Sequence, residues 1–198
     1  GTFEYAAEIK NSALASRPRS LDATQIGFEH PVFNGRIGFQ PNEAWNFGFS
    51  ASDGPYFRPE AAPTLPAGRG LGDYREILLG QDISFALHHF QLWAEFYEAR
   101  FEVPRVGNAD TFAYYLEGKY KFTPQLFAAL RWNQQLFSTV SDDGNSAQWG
   151  RDIWRIDGAI AYRFTPHTQL KLQYSLQDEK ADSGRFGHTL AAQFTVRF

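Results

Sequence analysis

Basic side chains recur at alternate positions in the second half of this 198-residue sequence, so they would share one side of extended chain segments. Amide and acidic residues occupy further positions of the same phase. The set is Lys119, Lys121, Arg131, Asn133, Arg155, Asp157, Arg163, Lys171, Arg197 and Glu117. Cations outnumber carboxylates in it, and a surface with excess positive charge attracts anions and repels cations. The pattern therefore predicts a surface that favours small anions.

A second group, Asp82, Ser84 and His88, carries the residue types of a hydrolase: an acid, a nucleophile and a base. All three would lie on one face of a single strand. At about 3.3 Å per residue, Ser84 and His88 are about 13 Å apart, which is too far for a nucleophile to share a hydrogen bond with its base. A catalytic site would need a partner from another strand, so we predict that the protein is not an enzyme.

Other chemistry has little support in the sequence. Four histidines are scattered without metal-ligand spacing: His30, His89, His167 and His188. Cysteine is absent. The run of residues 142–145 offers oxygen ligands for a weak calcium site, but it lacks EF-hand spacing and better suits a polar hairpin loop. No glycine-rich phosphate loop is present, and a net charge of −3 gives no reason to expect nucleic acid. We therefore expect no cofactor.

The segments that carry these residues alternate between apolar and polar side chains. The clearest runs cover residues 111–122, 126–136, 154–164, 170–177 and 189–198. Such alternation predicts strands with one apolar side, whereas a helix would need apolar residues three and four apart. The first half follows the rule less regularly, with a break near Glu98 that suggests a bulge. We count about ten strands, most about 10 to 14 residues long, against a common globular length of about five or six.

Short and long connections alternate along the chain. Short turns are predicted at residues 40–43, 88–89, 123–125 and 165–167, and longer polar loops at about residues 12–24, 58–73, 104–110, 141–152 and 181–187. Residues 25–33 are assigned to the start of the strand that ends at Gln40. No linker interrupts the pattern, so residues 1–198 are predicted to form a single domain.

The sequence contains no run of about 18 apolar residues, and therefore no candidate transmembrane helix. A chain that crosses a membrane without such a helix must form a closed barrel. The apolar sides of the predicted strands are nearly free of charge at mid-strand, with Gln81 and Gln134 as polar exceptions. Since a midplane Arg or Lys costs about 2–4 kcal/mol in lipid, this distribution favours an apolar side that faces lipid. A soluble barrel with its apolar side inside is the alternative.

Aromatic residues collect at the ends of the predicted strands. Those near the short turns are Phe39, Trp45, Phe85, Phe90, Phe122, Phe164 and Phe198, and those near the long loops are Tyr56, Phe57, Phe112, Phe137, Trp149 and Trp154. Two such rings of aromatic residues mark the two interfaces of membrane barrels. The predicted fold is all-β, an antiparallel transmembrane β-barrel (meander) with about ten strands in this chain.

The last six residues end in Phe198, with Val196 and Phe194 two and four places earlier. This ending resembles the closing signal of bacterial outer-membrane porins, which the barrel-assembly machinery reads. The resemblance implies an outer-membrane location, lipid as a partner, passive diffusion as the activity and a possible trimer. Porins of this type have about 16 to 18 strands, so the resemblance implies either the C-terminal part of a larger barrel or an unusually small one.

Together these observations predict a porin-like passive channel for small polar solutes with a mild anion preference, lined by the ten charged and amide residues named first. Two alternative functions remain open: a non-conducting barrel that serves as an anchor or scaffold through its long loops, and an outer-membrane hydrolase with a site at the long-loop rim. In a closed ten-strand barrel the basic residues would pair with Glu4, Glu8, Asp82 and Glu95, leaving a filled interior.

Overall fold

The computed structural model describes residues 1–10, 30–57, 59–142, 144–178 and 186–197. They form an all-β fold, as predicted. The ten strands of the main sheet are β1 (Thr2–Lys10), β2 (Val32–Gln40), β3 (Trp45–Pro55), β4 (Arg75–Leu87), β5 (Phe90–Val103), β6 (Gly107–Lys121), β7 (Leu126–Phe137), β10 (Ile153–Thr165), β11 (Thr168–Asp178) and β12 (Phe186–Val196). A separate hairpin consists of β8 (Thr139–Asp142) and β9 (Asn145–Gln148), and two short 3-10 helices cover Pro59–Thr64 and Leu71–Asp73.

Each strand of the main sheet pairs antiparallel with its neighbours along the chain, and the hairpin is inserted between β7 and β10. The meander and its ten strands are therefore confirmed. Closure is not seen: within the described ranges β1 and β12 lie at the two edges of an open sheet and do not pair with each other. None of the helices in these ranges has the length and hydrophobicity needed to cross a membrane.

The four predicted short turns are confirmed, and side-chain oxygens stabilise three of them. Asn42 Oδ1 accepts hydrogen bonds from the backbone N–H groups of Ala44 and Trp45 at 2.9 and 3.1 Å. Thr123 Oγ1 accepts from residues 125 and 126 in the same way, and Thr165 Oγ1 accepts from the N–H of His167. Asn and Thr favour turns because they satisfy backbone donors two or three residues further on. The side chains thus specify where one strand reverses into the next.

Two local predictions are wrong. Residues 104–110 are not a long loop, since β5 and β6 continue to a turn of residues 104–106, where Arg105 has φ 68° and Gly107 φ 92°. No bulge lies near Glu98 either, because β5 keeps a continuous register with β6 from Phe90 to Val103. The irregularity in the described ladders lies instead between Arg163 and Thr165.

The remaining connections are long and lie at the opposite end of the sheet. One covers residues 56–74 and includes both 3-10 helices, and another covers residues 138–152 and includes the β8–β9 hairpin. The predicted loop of residues 12–24 lies outside the described residues, as do positions 181–185 of the loop predicted at 181–187. We call the two ends of the sheet the short-turn end and the long-loop end.

The strand register assigns every side chain to one of two faces, because directly paired residues point to the same side. One row runs Glu117, Arg131, Asp157, Ser175 across four strands. We call its side the polar face and the other side the apolar face. The apolar face carries nearly all of the large exposed hydrophobic side chains, such as Tyr5 at 88% exposure.

Burial differs sharply between the two faces. Every described residue that is buried lies on the polar face: Val32, Gly38, Ser52, Gly54, Glu76, Gly80, Ala99, Ala109, Asp157, Ala161 and Ser175. A soluble sheet protein buries its apolar side and exposes its polar side. Here the buried residues lie on the polar side and nearly all of the large exposed hydrophobic residues lie on the apolar side, which is the distribution that the sequence pattern favours.

Candidate functional site: the polar face

The ten residues predicted to line a passage all lie on the polar face, on strands β6, β7, β10, β11 and, for Arg197, just beyond the end of β12. Their charges are not equivalent. Arg131 and Arg155 are engaged in ion pairs, whereas Lys119, Lys121, Arg163, Lys171 and Arg197 form no ion pair with any carboxylate in the part of the chain described here.

Arg131 lies at the centre of one interaction network. Its Nε donates to Glu117 Oε2 on the neighbouring strand at 2.6 Å, and its guanidinium stacks 4.4 Å from the ring centroid of Tyr115. The Tyr115 hydroxyl donates to Glu95 at 2.8 Å, and the Tyr97 hydroxyl donates to the same carboxylate at 2.9 Å. These contacts link β5, β6 and β7 through polar side chains on the enclosed face of the sheet.

Asp157 is the centre of a second network. It is 7% exposed, and its carboxylate accepts hydrogen bonds from Ser175, Asn133 and Gln173 on the two adjacent strands. Arg155 completes the set, with its Nε 2.9 Å from Asp157 Oδ1. A buried carboxylate requires such donors, because an unpaired buried charge costs several kcal/mol.

A third network joins β2 to β4 across the intervening strand. Arg36 donates two hydrogen bonds to the Asp82 carboxylate, at 2.6 and 3.0 Å. Gly48 lies between them on β3, and a Cβ atom there would overlap both the Asp82 carboxylate and the Arg36 guanidinium. The missing side chain of Gly48 is therefore what allows the two charges to meet.

Replacing Gly48 by valine is expected to separate Arg36 from Asp82 and lower the free energy of unfolding by about 1–3 kcal/mol, the usual cost of overpacking. Urea unfolding, followed by tryptophan fluorescence, measures the change. The control is Gly158→Ala, since a Cβ at that position meets no atom within 4 Å. Equal stability of the two variants would show that the ion pair does not depend on the glycine.

These networks bear on the alternative in which the second-half cations pair with carboxylates of the first half. Among the described residues, Asp82 pairs with Arg36, Glu95 accepts from two tyrosines and Glu8 accepts from Asn34. The pairings that form in the second half use Glu117 and Asp157 instead. In this open sheet Glu4, Glu8, Asp82 and Glu95 form no ion pair with a basic residue of the second half among the described residues, and their pairing in a closed barrel stays a prediction.

At the long-loop end an aromatic cluster covers the polar face. Six rings contact one another in sequence, with neighbouring centroids 4.4 to 5.8 Å apart: Tyr74, Phe57, Tyr56, Phe101, Trp149 and Phe137. The Trp149 indole donates to the Asp110 carbonyl at 2.7 Å. Burial raises the pKa of the Tyr56 hydroxyl to about 12, with the nearby Glu76 and Glu102 charges adding to the shift. The two long loops thus fold over this end of the enclosed face.

This cluster corrects the predicted ring of aromatic residues near the long loops. Phe101 and Phe137 occupy strand positions whose side chains lie on the polar face. Tyr56 packs on Phe101, and Trp149 packs on Phe137. Phe112 and Trp154, from the predicted set, do lie on the apolar face, where Trp154 stacks on Trp132 at 5.5 Å. The sequence could not distinguish these positions, because loop residues have no strand phase.

The hydrolase hypothesis gains no geometric support. The Asp82 carboxylate is occupied by Arg36 and cannot orient His88, which lies exposed in the turn after β4 with φ 51°. In the described ranges no cluster of three or more His, Asp or Glu side chains is arranged to hold a metal ion. The site is thus a surface of hydrogen-bonded charges, suited to contact with ions and polar solutes.

The predicted assembly signal is described only in part. Phe194 and Val196 lie on the apolar face of β12 and are exposed, while Phe198 lies outside the described residues. Fold and site together define a class: an antiparallel β-meander whose enclosed face is polar and whose exposed face is apolar. Neither the models of known protein families nor the curated proteins give a match to this sequence.

Proposed function

We propose that this sheet is part of the wall of a bacterial outer-membrane β-barrel, which acts as a porin-like passive channel. The apolar face contacts lipid, and the polar face lines a water-filled passage for small polar solutes, with a mild preference for anions. No reaction is catalysed. The observation that carries the proposal is that burial falls on the polar face and exposed hydrophobic side chains on the apolar face, because lipid is the environment in which a sheet is stable with its apolar side outward.

The dimensions of the sheet support this proposal. Its strands are 9 to 15 residues long, and a tilted strand needs about 9 to 11 residues to cross a bilayer. Charged residues on the apolar face lie in the long-loop half of the sheet: Asp53 pairs with Arg75 and Asp110 with Arg100, and Glu98 lies one apolar-face position further from that end than Arg100. Gln134, a polar exception closer to mid-strand, accepts a hydrogen bond from Tyr114 at 2.7 Å. The uncharged band would match the hydrocarbon layer, with the ion pairs at its boundary.

A passage requires closure of the sheet, and both edge strands are suited to it. β1 runs away from the short-turn end and β12 runs towards it, so the two edges are antiparallel. Unpaired backbone groups are costly in lipid, which requires each edge to find a partner strand. Pairing of β1 with β12 closes a ten-stranded barrel, and pairing with further strands closes a wider one. The wider barrel has more room for solutes.

A second candidate function is a non-conducting barrel that anchors its long loops at the cell surface. The aromatic cluster formed by Tyr56, Trp149 and the rings between them favours this function, because it covers the polar face at the long-loop end. In the channel proposal the same cluster narrows the mouth. The two functions differ in whether ions pass through the barrel.

Purified protein added to planar lipid bilayers is expected to produce stable conductance steps, with a reversal potential in a KCl gradient that indicates chloride preference. Lys121→Glu should shift that potential towards potassium, because the charge lies on the polar face. The control is Arg105→Glu in the turn between β5 and β6, which makes the same change of charge outside the passage. If the protein is folded, as shown by heat-modifiable migration on gels, and produces no conductance steps, the channel is rejected and the scaffold is favoured.

A further inference from the structure

Resting on the proposed passage, we propose that the short-turn half of the polar face, across β6 to β12, is a binding site for multivalent oxyanions of the phosphate class. Its ligands are the side chains of Lys119, Lys121, Arg163 and Lys171, with Arg197 at its margin. The site makes the general anion preference of the passage more specific, because it binds solutes that carry several negative charges close together.

The first argument is the contrast in charge between the two halves of the polar face. Towards the long-loop end, Arg36, Arg131 and Arg155 each meet a carboxylate. In the short-turn half, none of the four ligand side chains has a carboxylate within ion-pair distance among the described residues. The adjacent acids, Glu117 and Asp157, are already engaged by arginines. Four cations without an ion pair among the described residues therefore lie in this half of the polar face, whereas Lys10, at the long-loop end of β1, stands apart from them.

The second argument is register, which brings the four cations together. Lys121 pairs with Phe127, Phe127 with Ala161, and Ala161 with Lys171, in one row across four strands. At about 4.8 Å per strand the Cα atoms of Lys121 and Lys171 are about 14 Å apart. Arg163 lies between them, two residues along β10 from Ala161. Long side chains from these positions can converge on one extended anion.

Small residues and one aromatic ring lie between the cations. Ala129, Ala159, Ala161 and Phe127 are on the polar face there, and Ala161 is 1% exposed because longer side chains surround it. Three amide side chains on the same face flank these positions and offer neutral donors: Gln91, Gln169 and Gln193. Cations and amide donors are the groups that hydrogen-bond oxyanions.

The third argument concerns repulsion. Lys119 and Lys121 lie two positions apart on the same side of β6, so their like charges repel each other, while the Lys119 Nζ lies 4.2 Å from the centroid of the Phe127 ring, which offsets part of that cost. Chloride neutralises one positive charge at a time. A polyvalent anion relieves the mutual repulsion of several cations at once, so it is favoured over a monovalent anion of similar size.

The test uses sodium tripolyphosphate as the probe. Its affinity for the full-length protein in detergent micelles is measured by calorimetry, and its block of chloride conductance is measured in planar bilayers. The double variant Lys121→Gln, Lys171→Gln is expected to bind about thirtyfold more weakly, since each of the two lost contacts removes about 1 kcal/mol of charge attraction in water and about 1.4 kcal/mol corresponds to a factor of ten. The control variant Arg69→Gln, Arg105→Gln removes the same charge at the long-loop end and is expected to bind as the unaltered protein does.

The outcomes separate this site from the channel itself. Conductance that tripolyphosphate does not block, or binding that both double variants weaken equally, overturns the oxyanion site and leaves the channel standing. Bilayers without conductance steps, together with tripolyphosphate binding that the Lys121→Gln, Lys171→Gln variant weakens and the control variant does not, overturn the channel and support the site. Heat-modifiability on gels, compared for all three proteins, ensures that a loss of binding is not a loss of folding.

Discussion

Replacing Leu130 by arginine is expected to prevent the chain from folding into lipid bilayers, or to lower its stability there by about 2–4 kcal/mol, the cost of a cation at the membrane midplane. Leu130 lies near the middle of β7 on the apolar face and is 62% exposed. Its directly paired neighbours are Gly118 and Gly158, so no adjacent side chain shields it. A new guanidinium would face lipid without a partner.

The matched control is Asn133→Arg, three residues along the same strand but on the polar face. Asn133 donates to Asp157 at 2.9 Å, and an arginine can donate to the same carboxylate. Folding yield into vesicles and urea midpoints are compared for both variants. A soluble barrel would tolerate the exposed Leu130→Arg change, so a neutral result for that variant would reject the lipid-facing assignment, whatever the control did.

The strands and their faces follow from the sequence because both depend on local spacing. In β10 and β11, alternation places Ile160 and Leu172 on one side and Asp157 and Lys171 on the other, and the register confirms this division. Turns are equally local, since Thr123 caps its own turn through residues two and three places ahead. Alternation alone therefore predicts most of the sheet.

The pairing of charges does not follow from the sequence, because it depends on register between strands. Asp157 takes its donors from residues 18 and 24 positions away, and Arg36 reaches Asp82 over 46 positions through the gap at Gly48. A count of the charges on one side of the strands therefore overestimates the unpaired positive charge, because Arg131 and Arg155 are both in ion pairs. Four of the polar-face cations without an ion pair among the described residues, Lys119, Lys121, Arg163 and Lys171, lie together in the short-turn half, which no local pattern indicates.

Loops were the least predictable part. The polar stretch of residues 104–110 suggested a long loop, but Arg100 and Asp110 pair across the β5–β6 ladder and extend both strands. Residues 142–145 are predicted to form a polar hairpin loop, and the β8–β9 hairpin confirms this, with Asp142 paired to Asn145. The inward packing of Trp149 depends on contacts with Phe101 and Phe137, and no sequence signal specifies it.

Replacing Asp157 by alanine is expected to lower the free energy of unfolding by about 2–3 kcal/mol. Removing one partner of a buried ion pair costs about 3–5 kcal/mol, and we take a smaller value because Arg155 is 46% exposed on its side chain and recovers hydration. Ser175, Asn133 and Gln173 also lose an acceptor. The change is measured by urea unfolding in lipid vesicles.

Asp110→Ala is the matched control, since it also removes a carboxylate from an arginine. That pair is about half exposed on both side chains, so its loss is expected to cost no more than about 1 kcal/mol. The two variants differ in a second respect. Asp157→Ala frees the positive charge of Arg155 on the polar face and should increase the chloride preference of the channel, whereas Asp110 lies on the apolar face and its loss should not. Equal selectivity in both variants would mean that the polar face does not line the path of the ions.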